Sequence, residues 1–426
     1  MIAFIKKEAK TTCGQMNLLL WVCLIMSVMF GAVAFTSWYR EHHAVKTVVV
    51  DTVPSIIAAE RSRATLADAN ANFINAALIS EADGGTYSKT FRKEMDTVHT
   101  DMVTATENIT YGDEERKPII AIMQNLGTYE RVVGDTLGRS ISSSMPSYVE
   151  ANRIMREKIL KAGEALSDAN YGHMSTVYNA HVEHVMYEQI AFIAAGFLML
   201  AALLFTQLVL YRKTLPMFNV GFMIATVTTV LLIGYVSITM IQSESRLKLA
   251  KQDAFDSVNA LWKAKAIAYD ANNDESLYLL YHGVHSQQDY VDQTFKFKAK
   301  QFDKLLKDEA ANITFPGEKA AATATINAWK QYVAIDTNIR KLETSGQYAQ
   351  ALKLNVGTQQ GESNWAFDKF DAALTKTLAI NNDAMESAGS AAMTQLKYVP
   401  YVIGIAWLII FISCIFGMKP RLEEYK

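Results

Sequence analysis

The chain has 426 residues, with 41 Lys and Arg against 43 Asp and Glu and a formal net charge of −2 at pH 7. Half of its residues are hydrophobic although 20% are charged, a mixture that fits apolar membrane spans alternating with soluble parts and excludes a single soluble globule. The long segments between the apolar runs are slightly acidic, which points away from nucleic acid as a partner, and the absence of Walker, dinucleotide-fingerprint, HExxH and GxSxG patterns points away from an enzyme and from a bound cofactor.

Residues 1–16 form a flank carrying Lys6, Lys7 and Lys10. The apolar run 17–38 follows, the first of four; the others are 189–211, 215–241 and 398–418. Each reaches the roughly 20 residues a helix needs to cross the hydrocarbon core, where only a helix or a closed barrel satisfies its own backbone. Trp21, Trp38 and Tyr39 sit near the ends of the first run, and Tyr398 and Tyr401 near the start of the last, as interfacial aromatics do. Ala32-Val33-Ala34 also matches the small-x-small pattern of a cleaved signal peptide, the alternative to a retained span, although the run is longer than a usual signal core. The 212–214 link holds Arg212 and Lys213, and the 419–426 tail holds Lys419, Arg421 and Lys426. All three basic flanks fall on one side by alternation, so both termini are expected in the cytoplasm, with 39–188 and 242–397 outside. No charge lies within a run, which argues against an ion or proton path. Cys13, Cys23 and Cys414 lie in or near the runs, so disulfides do not hold the outer segments.

Each outer segment is one domain in size. The breakers are EADGGTYS (81–88), NITYGDE (108–114) and ISSSMPSY (141–148) in the first, and YHGVHS (281–286), NITFPGE (312–318) and ETSGQYA (343–349) in the second. Three breaks leave four helical stretches, and apolar residues between them recur at helical spacing, as at Ile119, Ile122, Leu126 and Tyr129. The expected fold is therefore all-α: four transmembrane helices with two tandem extracytoplasmic antiparallel four-helix bundles. The two segments also echo one another. ENITYGDE (107–114) faces ANITFPGE (311–318), LADAN (66–70) faces AYDAN (268–272), and Tyr129 and Asp135 face Tyr332 and Asp336, half a chain apart, which reads as an internal duplication. The NIT stretch reads as the link between helices two and three, with Asn108 or Asn312 ending one helix and the Thr or a later acid capping the next. N-glycosylation at that sequence is the other reading, and it needs a eukaryotic secretory route.

This plan of a span, a long helix, two shorter helices and a long helix re-entering the membrane resembles the four-helix-bundle sensor domain of methyl-accepting chemotaxis receptors. SGQYAQAL (345–352) looks like the turn that opens the last helix in many of them. The resemblance implies a bacterial inner-membrane protein and, because such receptors are homodimers, a covalent pseudo-dimer. No HAMP module or methylated hairpin is present, so a signal would have to pass to a separate membrane or cytoplasmic partner. Four-span actinobacterial and cyanobacterial proteins of this plan, often encoded beside amino-acid-binding lipoproteins and kinases, look similar in layout.

A seam of helical spacing runs through Ile56, Ala59, Arg63, Leu66, Asn70, Phe73 and Ala77, and again through Val258, Leu261, Lys265, Ala268, Asn272, Glu275 and Leu279. Both put a cation and then an Asn on an apolar face, where a polar group needs a partner. A seam Asn can fix helix register. It can also line a pocket for a small polar, amino-acid-like ligand, with Arg63, Asn70, Lys265, Asp270, Asn272, Asp274 and Glu275 as the candidate binding residues. In the resembled family the ligand sits between first helices and is held by arginines, a place that falls to Arg63 here. His42, His43, His181, His184 and Glu188 offer a metal site as a rival to solvated histidines. The expected function is a non-enzymatic sensor of a small solute or of a solute-binding protein. The alternative is a scaffold subunit of a transporter or envelope complex.

Overall fold

Helix α1 (Thr12–Val45) starts where Thr11 Oγ1 accepts the backbone N–H of Gly14 at 3.0 Å, a side-chain cap for an otherwise unpaired donor. In the computed structural model, which describes residues 11–80, 85–107, 109, 111–136, 139, 141–213 and 219–424, every regular element is helical. Lys6, Lys7, Lys10, Asn108, Lys426, Thr214 and the start of the 215–241 run lie outside the described residues. After α1 come a π-helical segment (Lys46–Thr52), α2 (Val53–Leu78), α3 (Thr86–Glu107), α4 (Asp113–Gly134) and α5 (Ile141–Ile154). A second π segment (Met155–Leu160) leads into α6 (Lys161–Lys213), and α7 (Val220–Lys248) leads through a third (Leu249–Phe255) into α8 (Asp256–Leu280). Helices α9 (His285–Ala310), α10 (Glu318–Thr344), α11 (Tyr348–Val356), α12 (Ser363–Leu396) and α13 (Val399–Glu423) complete the chain. Four continuous helical stretches, Thr12–Leu78, Ser143–Lys213, Val220–Leu280 and Ser363–Glu423, are long and apolar enough to cross a membrane.

The contacts divide the chain into two units. The span unit comprises Met1–Thr47, Thr176–Lys248 and Ala388–Lys426. Within it α13 packs on α1 and α7, and close approach replaces a hydrophobic drive that lipid would not supply. A Cβ on Gly221 would lie 2.6 Å from the Ser413 carbonyl oxygen, so only glycine fits that crossing. Polar pairs add to it: Asn219 Nδ2 donates to the Gly417 carbonyl at 2.6 Å, and Gln207 Nε2 to Thr226 Oγ1 at 2.9 Å.

The bundle unit comprises Val48–Ser175 and Leu249–Ser387. One group of helices is α2, α3, α4 and the run from α5 into α6; the other is α8, α9, α10 and α12, with α11 added. Ring clusters fill both: Phe73, Phe91, Tyr129 and Tyr148 in the first, Phe302, Trp329, Tyr332 and Phe370 in the second. Two expected breaks differ. Residues 141–148 are helical, with Pro146 near the start of α5, because Tyr148, Ala151 and Ile154 bury against the first core. SGQYAQAL does not open the last helix; Gly346 turns with φ 78° and the sequence forms the separate α11, while α12 begins at Ser363.

Candidate functional site

The first helices of the two groups, α2 and α8, pack on each other at the centre of the bundle unit. Small residues permit it, Ala64 and Ala67 meeting a core that includes Ala264, Ala268 and Ala271. Both helices are buried nearly all round, at 73–78 and 271–281 without a break. Polar pins cross this packing. Ser276 Oγ donates to Asn75 Oδ1 at 2.7 Å, and Asn152 Oδ1 on α5 accepts from both Asn70 and Asn273 at 3.1 Å.

The seam asparagines point elsewhere than at each other. Asn70 Oδ1 accepts from the Tyr129 hydroxyl at 3.0 Å, and Asn272 Nδ2 donates to the Tyr332 hydroxyl at 3.4 Å, each inside its own group. Both asparagines lie on a buried face, and that face is the one turned toward α4 or α10. Arg63 pairs with Glu60 on its own helix at 2.7 Å and lies against Gly163 of α6. Lys265 pairs with Asp371 at 2.7 Å and bonds Thr375 at 3.1 Å, beside the Trp262 and Tyr269 rings. Glu275 Oε1 accepts from Asn355 and Ser363 at 2.8 and 2.6 Å inside the second group, and burial pushes its carboxyl up to about 8.

Only Asp270 and Asp274 converge, and they do so on cations the sequence reading did not select. Arg156 Nε, from the second π segment, lies 2.9 Å from Asp270, and its Nη2 bonds Asp274. Lys298 Nζ on α9 lies 2.7 Å from Asp270 and 2.6 Å from Asp274. Burial raises the Asp270 carboxyl, but Arg156 and Lys298 more than offset this and hold it below the usual range. The corresponding place on α2 is different: Asp68 and Asn72 face Glu94, and Asn72 Nδ2 donates to Asp68 Oδ1 and Glu94 Oε2 at 3.1 Å.

The histidines do not gather. His184 Nδ1 bonds the Ala180 carbonyl of its own helix at 2.8 Å, His42 lies against the Trp38 ring and His43 against Tyr39, and Glu188 takes Arg40 at 2.7 Å. His181 lies 3.2 Å from buried Glu41, whose carboxyl burial pushes up to about 7. Among the described residues no group of three His, Cys, Asp or Glu could hold a metal ion.

The second NIT loop, and Tyr111 just after the first, close onto the π segments of the first helices. Asn312 Nδ2 donates to the Gln252 and Asp253 carbonyls at 3.3 and 3.2 Å and to Ser257 Oγ at 3.0 Å. Glu318 Oε2 accepts the backbone N–H of Thr314 and Phe315 at 2.7 and 2.9 Å. In the first half the Tyr111 N–H donates to Glu115 Oε2 at 2.6 Å, and the Tyr111 hydroxyl bonds Thr52 at the end of its π segment. The closing acid is thus Glu115, one residue beyond the Glu114 that the ungapped match selects; Glu114 instead takes His173 at 2.6 Å. Gly112 and Gly317 stand at φ 70° and 86° before the next helix, which explains a glycine in each loop. A cleft of about 600 Å³ borders the first closure, walled by Val49, Val53, Glu115, Ile119, Trp262 and Met385 among others.

Residues 44–179 match the family model described as an actinobacterial sensor domain. That stretch runs from the end of α1 through the first helical group into α6, so the first group is similar to a sensor domain over its whole length. The match names this sensor family and not the chemotaxis-receptor bundles, and it does not extend to residues 249–387. No curated protein and no solved structure matches the chain.

Proposed function

We propose that the chain is a multi-pass membrane sensor subunit that detects an extracytoplasmic solute, free or carried by a solute-binding protein, and signals through a separate partner. The observation that carries this reading is the sensor-domain match over 44–179, in a helical group whose first helix is continuous with an apolar helix long enough to cross a membrane. The paired bonds Asn70–Tyr129 and Asn272–Tyr332, the paired acids Glu115 and Glu318 and the π segments at Lys46–Thr52 and Leu249–Phe255 support a duplicated origin and a pseudo-dimer. π segments are frequent at functional sites, and ligand-driven repacking at either closure would alter the helix leading to a span. With the 212–214 link on the cytoplasmic side, the signal would leave through the span helices to that partner. Capture of the full chain from native membranes in mild detergent, followed by mass spectrometry, tests the reading. A kinase or other regulatory protein is the expected partner; a transporter or envelope machine alone would favour the scaffold alternative. Cysteines placed at Ser143 and Gln360 should react with an impermeant thiol reagent in intact cells, and one at Lys213 should not.

A further inference from the structure

The two first helices carry the same acid in the same place and answer it in opposite ways. Asp68 in LADAN corresponds to Asp270 in AYDAN, and Asn72 to Asp274. In the second half the neighbouring helix supplies Lys298, and Arg156 arrives from the fourth helix of the other group. In the first half the neighbouring helix supplies Glu94, and the fourth helix of the other group supplies Asp368 and Asp371. Among the described residues, four carboxylates there face two ammonium groups, Lys265, which is paired with Asp371, and Lys93, which acts on Glu94. Beside them is a cleft of about 390 Å³ walled by Asp68, Asp368, Asp371, Asn72, Tyr269 and Phe367, among others. Tyr87 helps to close it, its hydroxyl donating to the Val356 carbonyl and accepting from Asn364, both at 2.7 Å.

We propose that this cleft binds a short organic dication, an aliphatic chain with two ammonium groups, standing where the second half uses its own Arg156 and Lys298. The assignment rests on the sensing reading above and names the ligand class for it. Two observations carry it independently: the unbalanced acids around an open cleft, and the corresponding acids of the second half holding two cationic nitrogens. The acids are too dispersed for one metal ion, as no three of the described ligand-type side chains gather for one. Tyr269 and Phe367, with ring centroids 5.1 Å apart, offer the aromatic surface that favours alkylammonium over bare cations. Two of these acids, Asp68 and Glu94, are raised together. Burial, with Asp371 and Asp368 opposed by Lys265, pushes Asp68 up to about 6, while burial and Asp68 push Glu94 up to about 10 against Asn72 and Lys93. The pair therefore shares one proton at neutral pH, and an entering ammonium displaces it to solvent.

Calorimetry on the full chain in detergent, with 1,4-diaminobutane as the probe, tests this. The diamine should bind with release of a proton, seen as a heat that changes with buffer ionisation enthalpy, and more tightly at pH 8 than at pH 6. Butylamine should bind at least tenfold more weakly and 1,4-butanediol not at all. Lysine, as a further arm, tells whether the shared ammonium chemistry comes from a free diamine or from an amino acid: equal affinity assigns the amino acid, weaker affinity the diamine, and either supports the site. Asp68→Asn and Asp371→Asn should each weaken the diamine at least tenfold. Glu94→Lys should abolish binding and raise the unfolding temperature by supplying the cation internally. Diamine binding that survives both Asp68→Asn and Glu94→Lys, or a wild-type chain that ignores the diamine, overturns the assignment. In the latter case a regulatory partner captured from membranes leaves the sensing reading standing, so the two fail separately.

Discussion

Replacing Arg156 by Met should loosen the two helical groups from each other more than any other single change at this interface. Arg156 lies on one group and its acids on the other. Asp274 is fully buried, and the other three members of the cluster expose less than a fifth of their side chains. The four formal charges cancel; without the guanidinium, two carboxylates face one ammonium. Stripping one partner from a buried pair costs about 3–5 kcal/mol, and Lys298 remains to hold one acid, so the lower end, about 3 kcal/mol, is expected. At about 2–4 °C per kcal/mol for a domain of this size, thermal unfolding of the purified full chain should fall by about 6–12 °C. Adding Asp274→Leu to Arg156→Met should restore most of the loss, because Asp270 and Lys298 then balance. The pH dependence has a definite sign. The folded Asp270 carboxyl is depressed, so its stabilisation is complete above the unfolded value of about 3.9 and is lost as pH falls through the lower folded value. The gap between wild type and variant should therefore narrow in acid. A loss below about 1 kcal/mol at pH 7, or a double variant weaker than the single one, would falsify the view of this cluster as a clamp between the groups.

Asn312→Ala removes three bonds to the third π segment and its neighbour Ser257, so it should cost about 1–2 kcal/mol and raise hydrogen exchange at 249–255 but not at 46–52. Equal protection in variant and wild type would remove the closure from the account. Glu41→Gln should stabilise the chain by about 2–3 kcal/mol at pH 8 and by little at pH 5: Glu41, facing His181, Glu188, Glu244 and Ser243, is pushed up to about 7, so the wild type loses stability as pH rises from about 4.3 toward 7. Parallel unfolding curves across that range would contradict it. Cysteines at Asn75 and Ser276 should cross-link within one chain under mild oxidation, whereas cysteines at Asn70 and Asn272 should not, since those side chains turn into separate groups; efficient 70–272 product would mean that the seam faces the other half after all.

The order of the helices was legible in the sequence because it depends on local quantities. Runs long enough to cross a bilayer, a helical period between breakers and glycines at Gly112 and Gly317 act within a few residues of where they stand. The buried face of α2 and α8 was legible for the same reason, down to Asn70 and Asn272. Which neighbour that face meets was not, since a period gives the side of a helix and not what stands opposite. Only the packing brought Tyr129 and Tyr332 to those asparagines, and Arg156 across to Asp270 and Asp274. The π segments were equally hidden: an extra residue in a helical turn leaves no composition signal, and at the third of them the carbonyls of Gln252 and Asp253 are met by Asn312, some sixty residues away in the chain. The contrast between Glu94 and Lys298 stood in the sequence throughout. It acquired meaning only when the fold set one beside Asp68 and the other beside Asp270, because a charge takes its effect from the charges within a few ångströms, and those come from remote parts of the chain.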